Sequence, residues 1–117
     1  MTDFKKQNTF ESRCSQSAKI REKYPTRVPI IVSRSESSKT IPDIDRRKYL
    51  VPNDITMGAF MHILRKRVKL EAHVGLYLFV GDCAIVPVSK TIQQVDDEYK
   101  DTDGSLYVFY AGESTFG

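Results

Sequence analysis

The stretch Arg46-Arg47-Lys48-Tyr49-Leu50-Val51-Pro52, together with residues 53–70 behind it, decides how the chain is read. The first part has the composition of a short strand with a basic lead-in, stopped by a proline that cannot donate to a ladder. In the second part Met57, Phe60, Met61, Leu64 and Val68 recur at the spacing of one helical face. Asp54 or Thr56 can cap the helix at its N-terminus. Arg65, Lys66, Arg67 and Lys69 crowd its last turns, where the helix dipole favours cations. A strand feeding an amphipathic helix with a basic rim supplies both a scaffold and a surface.

The chain has 117 residues, 40% of them hydrophobic and 28% charged, which predicts one globular domain able to bury a core without staples. No apolar run is long enough to span a bilayer, and Met1-Thr2-Asp3-Phe4-Lys5-Lys6 lacks the apolar core of a secretory signal. Cys14 and Cys83 are the only cysteines, so a disulfide framework is not expected and a reducing, cytoplasmic setting is. Residues 1–69 carry 16 Lys and Arg against 7 Asp and Glu, whereas residues 70–117 carry 2 against 8. That asymmetry within a net charge of only +3 predicts a surface that attracts acidic partners.

Working outward, residues 10–24 read as a helix with a thin stripe of Phe10, Cys14, Ala18 and Ile20 or Arg21, and residues 1–8 as a further short helix. Residues 27–33 are β-branched enough for a strand, although Pro29 argues for an edge or a strand's beginning. Residues 34–45 have loop composition. Strand 49–52 pairs back, and helix 56–69 crosses the sheet. Residues 76–80 form an apolar run suited to a buried strand, and residues 83–86 a short returning arm. A weak helix spans 91–98 with Ile92 and Val95 inward, and 106–110 is the last strand. Residues 111–117 are too short and too glycine-punctuated to form an element. Strand, strand, long helix, strand, short helix, strand is the order of an α+β, ubiquitin-like β-grasp: a four-stranded mixed sheet with a packed helix. The reading is one compact domain, with a helical extension over 1–26, the grasp core over 27–110 and a flexible tail over 111–117.

Enzymatic constellations are missing from this pattern. His62 and His73 lack metal-ligand spacing, and neither Cys14 nor Cys83 sits in a thiol–imidazole motif. Asp96-Asp97-Glu98 reads as a solvated acidic helix face. Gly104, Gly112 and Gly117 lack the spacing of a phosphate loop. No metal, cofactor or catalytic residue is therefore expected. Nucleic acid is not the expected partner either, because aromatic and basic residues are not interleaved on one strand.

Two features carry chemistry. The edge at Lys48-Tyr49-Leu50 can take an added strand, with basic residues nearby that favour an apolar peptide with acidic flanks. Gly117, at the end of a loose tail, lacks a Cβ and suits passage through a narrow enzyme channel.

The chain resembles the autophagy ubiquitin-like modifier family, which includes the GABA-receptor-associated protein and the microtubule-associated light chain. The resemblance lies in Lys19-Ile20-Arg21-Glu22-Lys23-Tyr24-Pro25-Thr26-Arg27-Val28-Pro29-Ile30-Ile31-Val32, Lys48-Tyr49-Leu50-Val51-Pro52 and Arg65-Lys66-Arg67. It extends through Phe79-Val80, Asp103-Gly104 with Leu106-Tyr107, and Glu113-Ser114-Thr115-Phe116-Gly117, covering residues 10–117. It implies a modifier whose terminal glycine is activated as an adenylate, passed between activating and conjugating enzymes as a thioester, and joined to phosphatidylethanolamine on autophagosomal membranes. Gly117 would be the attachment point. A processing and deconjugating cysteine protease belongs to the same cycle, and the chain is either a processed form or encoded ready-made.

The resemblance also implies a groove for proteins with an aromatic-x-x-aliphatic motif and acidic flanks. Ile20, Pro29, Ile31, Lys48 and Leu50 would border the aromatic pocket. Tyr49, Val51, Pro52, Ile55, Phe60 and Ile63 would border the aliphatic one, with Arg67 at the rim. Ser105 stands where the family commonly has Phe, and Gln16 where an acidic residue is frequent, so a more open aromatic pocket is expected. Residues 1–9 leave open a role in tubulin binding or membrane contact. The rival readings are an unconjugated ubiquitin-like adaptor and, more distantly, a small thiol enzyme using Cys83 or Cys14.

Overall fold

In the computed structural model, residues 3–36, 41–71, 73–81 and 84–112 are described. Two helices lead, α1 (Asp3–Gln7) and α2 (Phe10–Lys23), followed by strands β1 (Arg27–Arg34) and β2 (Lys48–Pro52). Helix α3 (Met57–Val68), strands β3 (Leu76–Val80) and β4 (Ala84–Ile85), helix α4 (Ile92–Tyr99) and strand β5 (Leu106–Gly112) complete the order. The sheet runs β2-β1-β5-β3-β4, with β1 and β5 parallel at its centre and the other pairs antiparallel. It has five strands, not the expected four. The returning arm at 84–85 pairs with β3 through Phe79↔Ile85 and Val80↔Ala84, a ladder too short to leave a period in the sequence.

α3 packs as its period predicts, burying Met57, Phe60, Leu64 and Val68, with Met61 partly buried against the same core. Thr56, not Asp54, is its cap: the hydroxyl accepts from the Ala59 N–H at 3.1 Å. At the other end Lys69 takes the left-handed conformation, and its N–H closes the last turn on the Arg65 carbonyl. α4 begins in a reciprocal cap between Thr91 and Gln94 and buries Ile92 and Val95. Loop residues Ile41 and Ile44 join this core, which loop composition did not reveal.

Pro29 lies inside the sheet rather than at its edge, paired with Leu50. The Val32 N–H donates to the Arg47 carbonyl and the Asn53 N–H to the Thr26 carbonyl. Alternation then turns the Pro29 nitrogen toward β5, whose pairing starts only at Ile30↔Leu106. The missing donor therefore breaks no bond. At the far end, β5 continues through Ala111 and Gly112, both buried, where no element was expected. Pairing with Tyr77 and Leu76 holds those two residues in the ladder.

The expected apolar stripe on α2 is not what docks it. Phe10 is 49% exposed and Ala18 is exposed, while Ser17 is the helix's buried residue. The face turned inward carries Arg13, Ser17 and Arg21. Arg13 meets the buried Asp103 at 2.7 Å, Ser17 donates to the Asp103 carbonyl, and Arg21 grips Asp96 through two bonds of 2.9 and 3.0 Å. Asp96, read as part of a solvated face, is thus fully buried; Asp97 and Glu98 are exposed as expected. Gly104 (φ 92°) lets the loop pass so close to Ser17 that a Cβ would collide with its hydroxyl.

Candidate peptide-docking groove

β2 is an edge strand. The same alternation sends the backbone groups of residues 47, 49, 51 and 53 toward β1 and those of Lys48 and Leu50 out of the sheet. Pro52 has no N–H to add. Lys48 and Leu50 stand opposite Ile31 and Pro29, so their side chains share the sheet face that α1 and α2 cover. Tyr49 and Val51 stand opposite Ile30 and Val28 and share the face covered by α3.

A depression opens on each side of this edge. On the α2 side, a cavity of about 160 Å³ is lined by Ile20, Pro29, Ile31, Lys48 and Leu50, which are the five residues expected of the aromatic pocket. Gln16 and Ser105 line it too. Phe4 completes the wall and was missed: its ring packs on Ile31 and Tyr107, under the Lys48 ammonium at 5.0 Å. Only its place in a short, charged N-terminal segment was visible, which gave no signal for a pocket.

On the α3 side, an open groove of about 490 Å³ is lined by Tyr49, Val51, Pro52, Phe60, Ile63 and Arg67, all expected there. Ile55 is not among its lining residues. It packs against the main core instead, and its carbonyl accepts from the Ile92 N–H at 2.9 Å, a long-range contact that spacing could not report. Arg46 and Lys66 join Arg67 around this groove. Phe60 is fully buried and meets Tyr49 edge-to-face at 5.8 Å, making a rigid floor, while Ile63 is 45% exposed above it.

Charge frames both depressions. Arg46 lies over the Tyr49 ring at 5.2 Å, and Arg67 is held by Asp45 at 2.9 Å. Tyr49 carries the buried side-chain oxygen that has no partner among the described residues. Burial raises its phenol, with Arg67 and Arg46 pulling the other way. Behind the α2-side pocket, burial and the hydrogen bond to Asp103 push the Tyr107 phenol well above the ordinary value. The supporting clasp is completed by Lys5, whose ammonium meets Asp101 at 3.0 Å. Desolvation would raise the Asp101 carboxyl, but the bonds from Lys5 and the Asp103 N–H hold it below its usual range.

Among the described residues, no three His, Cys, Asp or Glu side chains could hold a metal ion. His62 and His73 are exposed, and Cys14 is free and partly buried. Cys83, Gly117 and the motif before Gly117 lie outside the described residues. No described helix is long and apolar enough to cross a membrane.

A mixed sheet wrapped by α3, with a free strand edge between two pockets, is the architecture of a ubiquitin-like protein. The family model for "Autophagy protein Atg8 ubiquitin like" matches residues 12–117. The chain is 46% identical over 114 residues to autophagy-related protein 8e of Arabidopsis thaliana, covering 97% of this chain and 92% of that relative. It is 46% identical over 116 residues to autophagy-related protein 8a of the same plant, covering 99% and 93%. The crystal structure of Trypanosoma brucei ATG8 superposes with a TM-score of 0.92 at 44% identity, covering 100% of this chain and 99% of that one. The chain belongs to the Atg8 family of autophagy ubiquitin-like proteins.

Proposed function

We propose that this protein is a modifier joined through Gly117 to phosphatidylethanolamine on autophagosomal membranes, where it gathers cargo receptors and adaptors through the groove at β2. The observation that carries the groove reading is the position of two pockets on opposite sides of one free strand edge. An extended segment added to that edge presents successive side chains to opposite faces. Anchors filling both pockets must therefore stand an odd number of positions apart in sequence. A separation of three spans roughly 10 Å along the strand, which suits an aromatic-x-x-aliphatic motif. Arg46, Lys66 and Arg67 around the aliphatic groove favour acidic residues beside the anchors.

Attachment through Gly117 is supported by family membership, with the matching family model running through that residue. The chemistry of attachment belongs to activating and conjugating enzymes, and release to a cysteine protease. This chain supplies the carboxylate and the docking surface. Anchoring many copies on one membrane raises their local concentration, so modest peptide affinity suffices to hold cargo.

The test is reconstitution with activating enzyme, conjugating enzyme and phosphatidylethanolamine vesicles, read by intact mass. Wild type gains the lipid. Gly117→Ala does not, while it binds a peptide as before. Leu50→Ala conjugates normally but loses about tenfold in peptide affinity. A lipid adduct on the Gly117→Ala chain removes the attachment assignment, and an unchanged titration for Leu50→Ala removes the groove.

A further inference from the structure

The pocket on the α2 side ends in a hydroxyl that no described residue uses. Its lining runs from Lys48 and Leu50 on the edge strand, across Pro29 and Ile31 of β1, to Ser105 just before β5. Three neighbouring strands put those two ends roughly 10 Å apart. Ser105 is 5% exposed, and its hydroxyl enters no hydrogen bond among the described residues. Both of its backbone groups are taken. The N–H donates to Asp103 Oδ1 at 2.9 Å, and the carbonyl accepts from the Asp101 N–H at 2.9 Å. The loop therefore fixes the hydroxyl in place while leaving it uncommitted. Neighbouring polar side chains of the wall are engaged: Ser17 donates to the Asp103 carbonyl, Gln16 to Ser12 Oγ at 3.0 Å, and the Lys48 ammonium to Gln16 Oε1 at 3.4 Å.

An apolar ring that fills this pocket strips water from the Ser105 hydroxyl and returns no hydrogen bond, which is costly for a buried polar group. A ring with a hydroxyl at its tip restores the bond, since each hydroxyl can donate to or accept from the other. An anchor entering from the β2 edge meets Ser105 last, at the ring's far end. From this placement we propose that Ser105 is a specificity-determining residue, and that the aromatic anchor this chain selects is tyrosine in preference to phenylalanine. A site built to pair a ligand hydroxyl discriminates against the analogue that lacks it. Ser105 is also where the chain departs from the Phe common in its family, so the preference belongs to this chain and not to the family at large. This inference rests on the groove reading above and adds the anchor's chemistry to it.

The probes are two acetylated, amidated peptides, Glu-Glu-Glu-X-Thr-Val-Leu-Glu with X either Tyr or Phe, which differ by one oxygen. Each is titrated by calorimetry into the full chain and into its Ser105→Ala variant. The readout is the Kd of the Phe peptide divided by that of the Tyr peptide, a ratio in which general damage to the pocket cancels. It should be about fivefold larger in wild type than in Ser105→Ala. The variant weakens the Tyr peptide and binds the Phe peptide at least as well as wild type does. Because the substitution keeps both backbone bonds of residue 105, the fold should survive. A ratio that changes by less than about twofold, as when both peptides weaken in parallel, or that changes in the other sense, overturns the role of Ser105 and leaves the groove standing. Leu50→Ala separates the two ideas: it must weaken both peptides, and if it weakens neither, the groove reading itself fails and the anchor preference with it.

Discussion

On one side of the sheet, α3 buries Met57, Phe60, Leu64 and Val68 against the apolar faces of the strands. On the other, α2 buries a single serine and is held by Arg13–Asp103 and Arg21–Asp96. α1 adds one apolar plug, Phe4, and the Lys5–Asp101 pair. The α3 side is glued mainly by buried apolar area. The N-terminal side is glued by a few directed bonds, most of them made by ionised side chains. The two pockets beside β2 inherit this difference, since one rests on Phe60 and the other on Phe4, Ser17 and Ile20.

The strongest way to break the comparison is Phe60→Ala. It removes a fully buried ring and should cost about 3–5 kcal/mol in global stability, measured by urea unfolding. A loss below about 1 kcal/mol would mean that α3 is not the keystone.

Next is Arg21→Ala, which leaves the buried Asp96 without its bidentate partner and should cost about 2 kcal/mol. Its signature is regional: hydrogen exchange should accelerate over residues 10–23 far more than over 57–68. Uniform acceleration would contradict a separately held N-terminal clasp.

A third test uses alkali. Burial raises the Tyr110 phenol from its ordinary value to about 12. The unfolded chain then loses this proton first, so stability should decline from about pH 10 upward, by no more than about 1.4 kcal/mol per pH unit from this group. Tyr110→Phe should flatten that limb, and an identical slope would reject the assignment.

The smallest effect is expected at Lys5–Asp101, where both side chains are 27% exposed. Lys5→Ala should cost only about 0.5 kcal/mol near neutral pH. Because the folded Asp101 carboxyl is held low, this contribution is present above the usual carboxylate range and disappears as pH falls through the folded value. A difference between the two proteins that persists unchanged into strong acid would assign it instead to the lost contact with the Tyr107 ring, whose centroid lies 4.5 Å from the Lys5 ammonium.

The same contrast explains what could be read from the chain. α3, β1, β2, β3 and β5 announce themselves because their apolar residues recur at periods set by local backbone geometry. The edge at Lys48-Tyr49-Leu50 is legible for the same reason, and most residues around both pockets followed from the family resemblance. What went unread joins distant positions. Arg13 and Asp103 are 90 residues apart, and Arg21 and Asp96 are 75. In sequence each is only another charged residue in a polar stretch. Phe4 enters the aromatic pocket wall, and Ile55 leaves the aliphatic one, because of neighbours that only folding supplies.

By itself, then, the amino-acid order determined the β-grasp, its main helix and the existence of an exposed, basic strand edge, since period and composition are local properties. Tertiary structure alone decided that α2 docks by charge rather than by its apparent stripe and that Asp96 is buried. Those outcomes depend on which groups meet across the fold, and a buried charge is stable only when its partner is already in place.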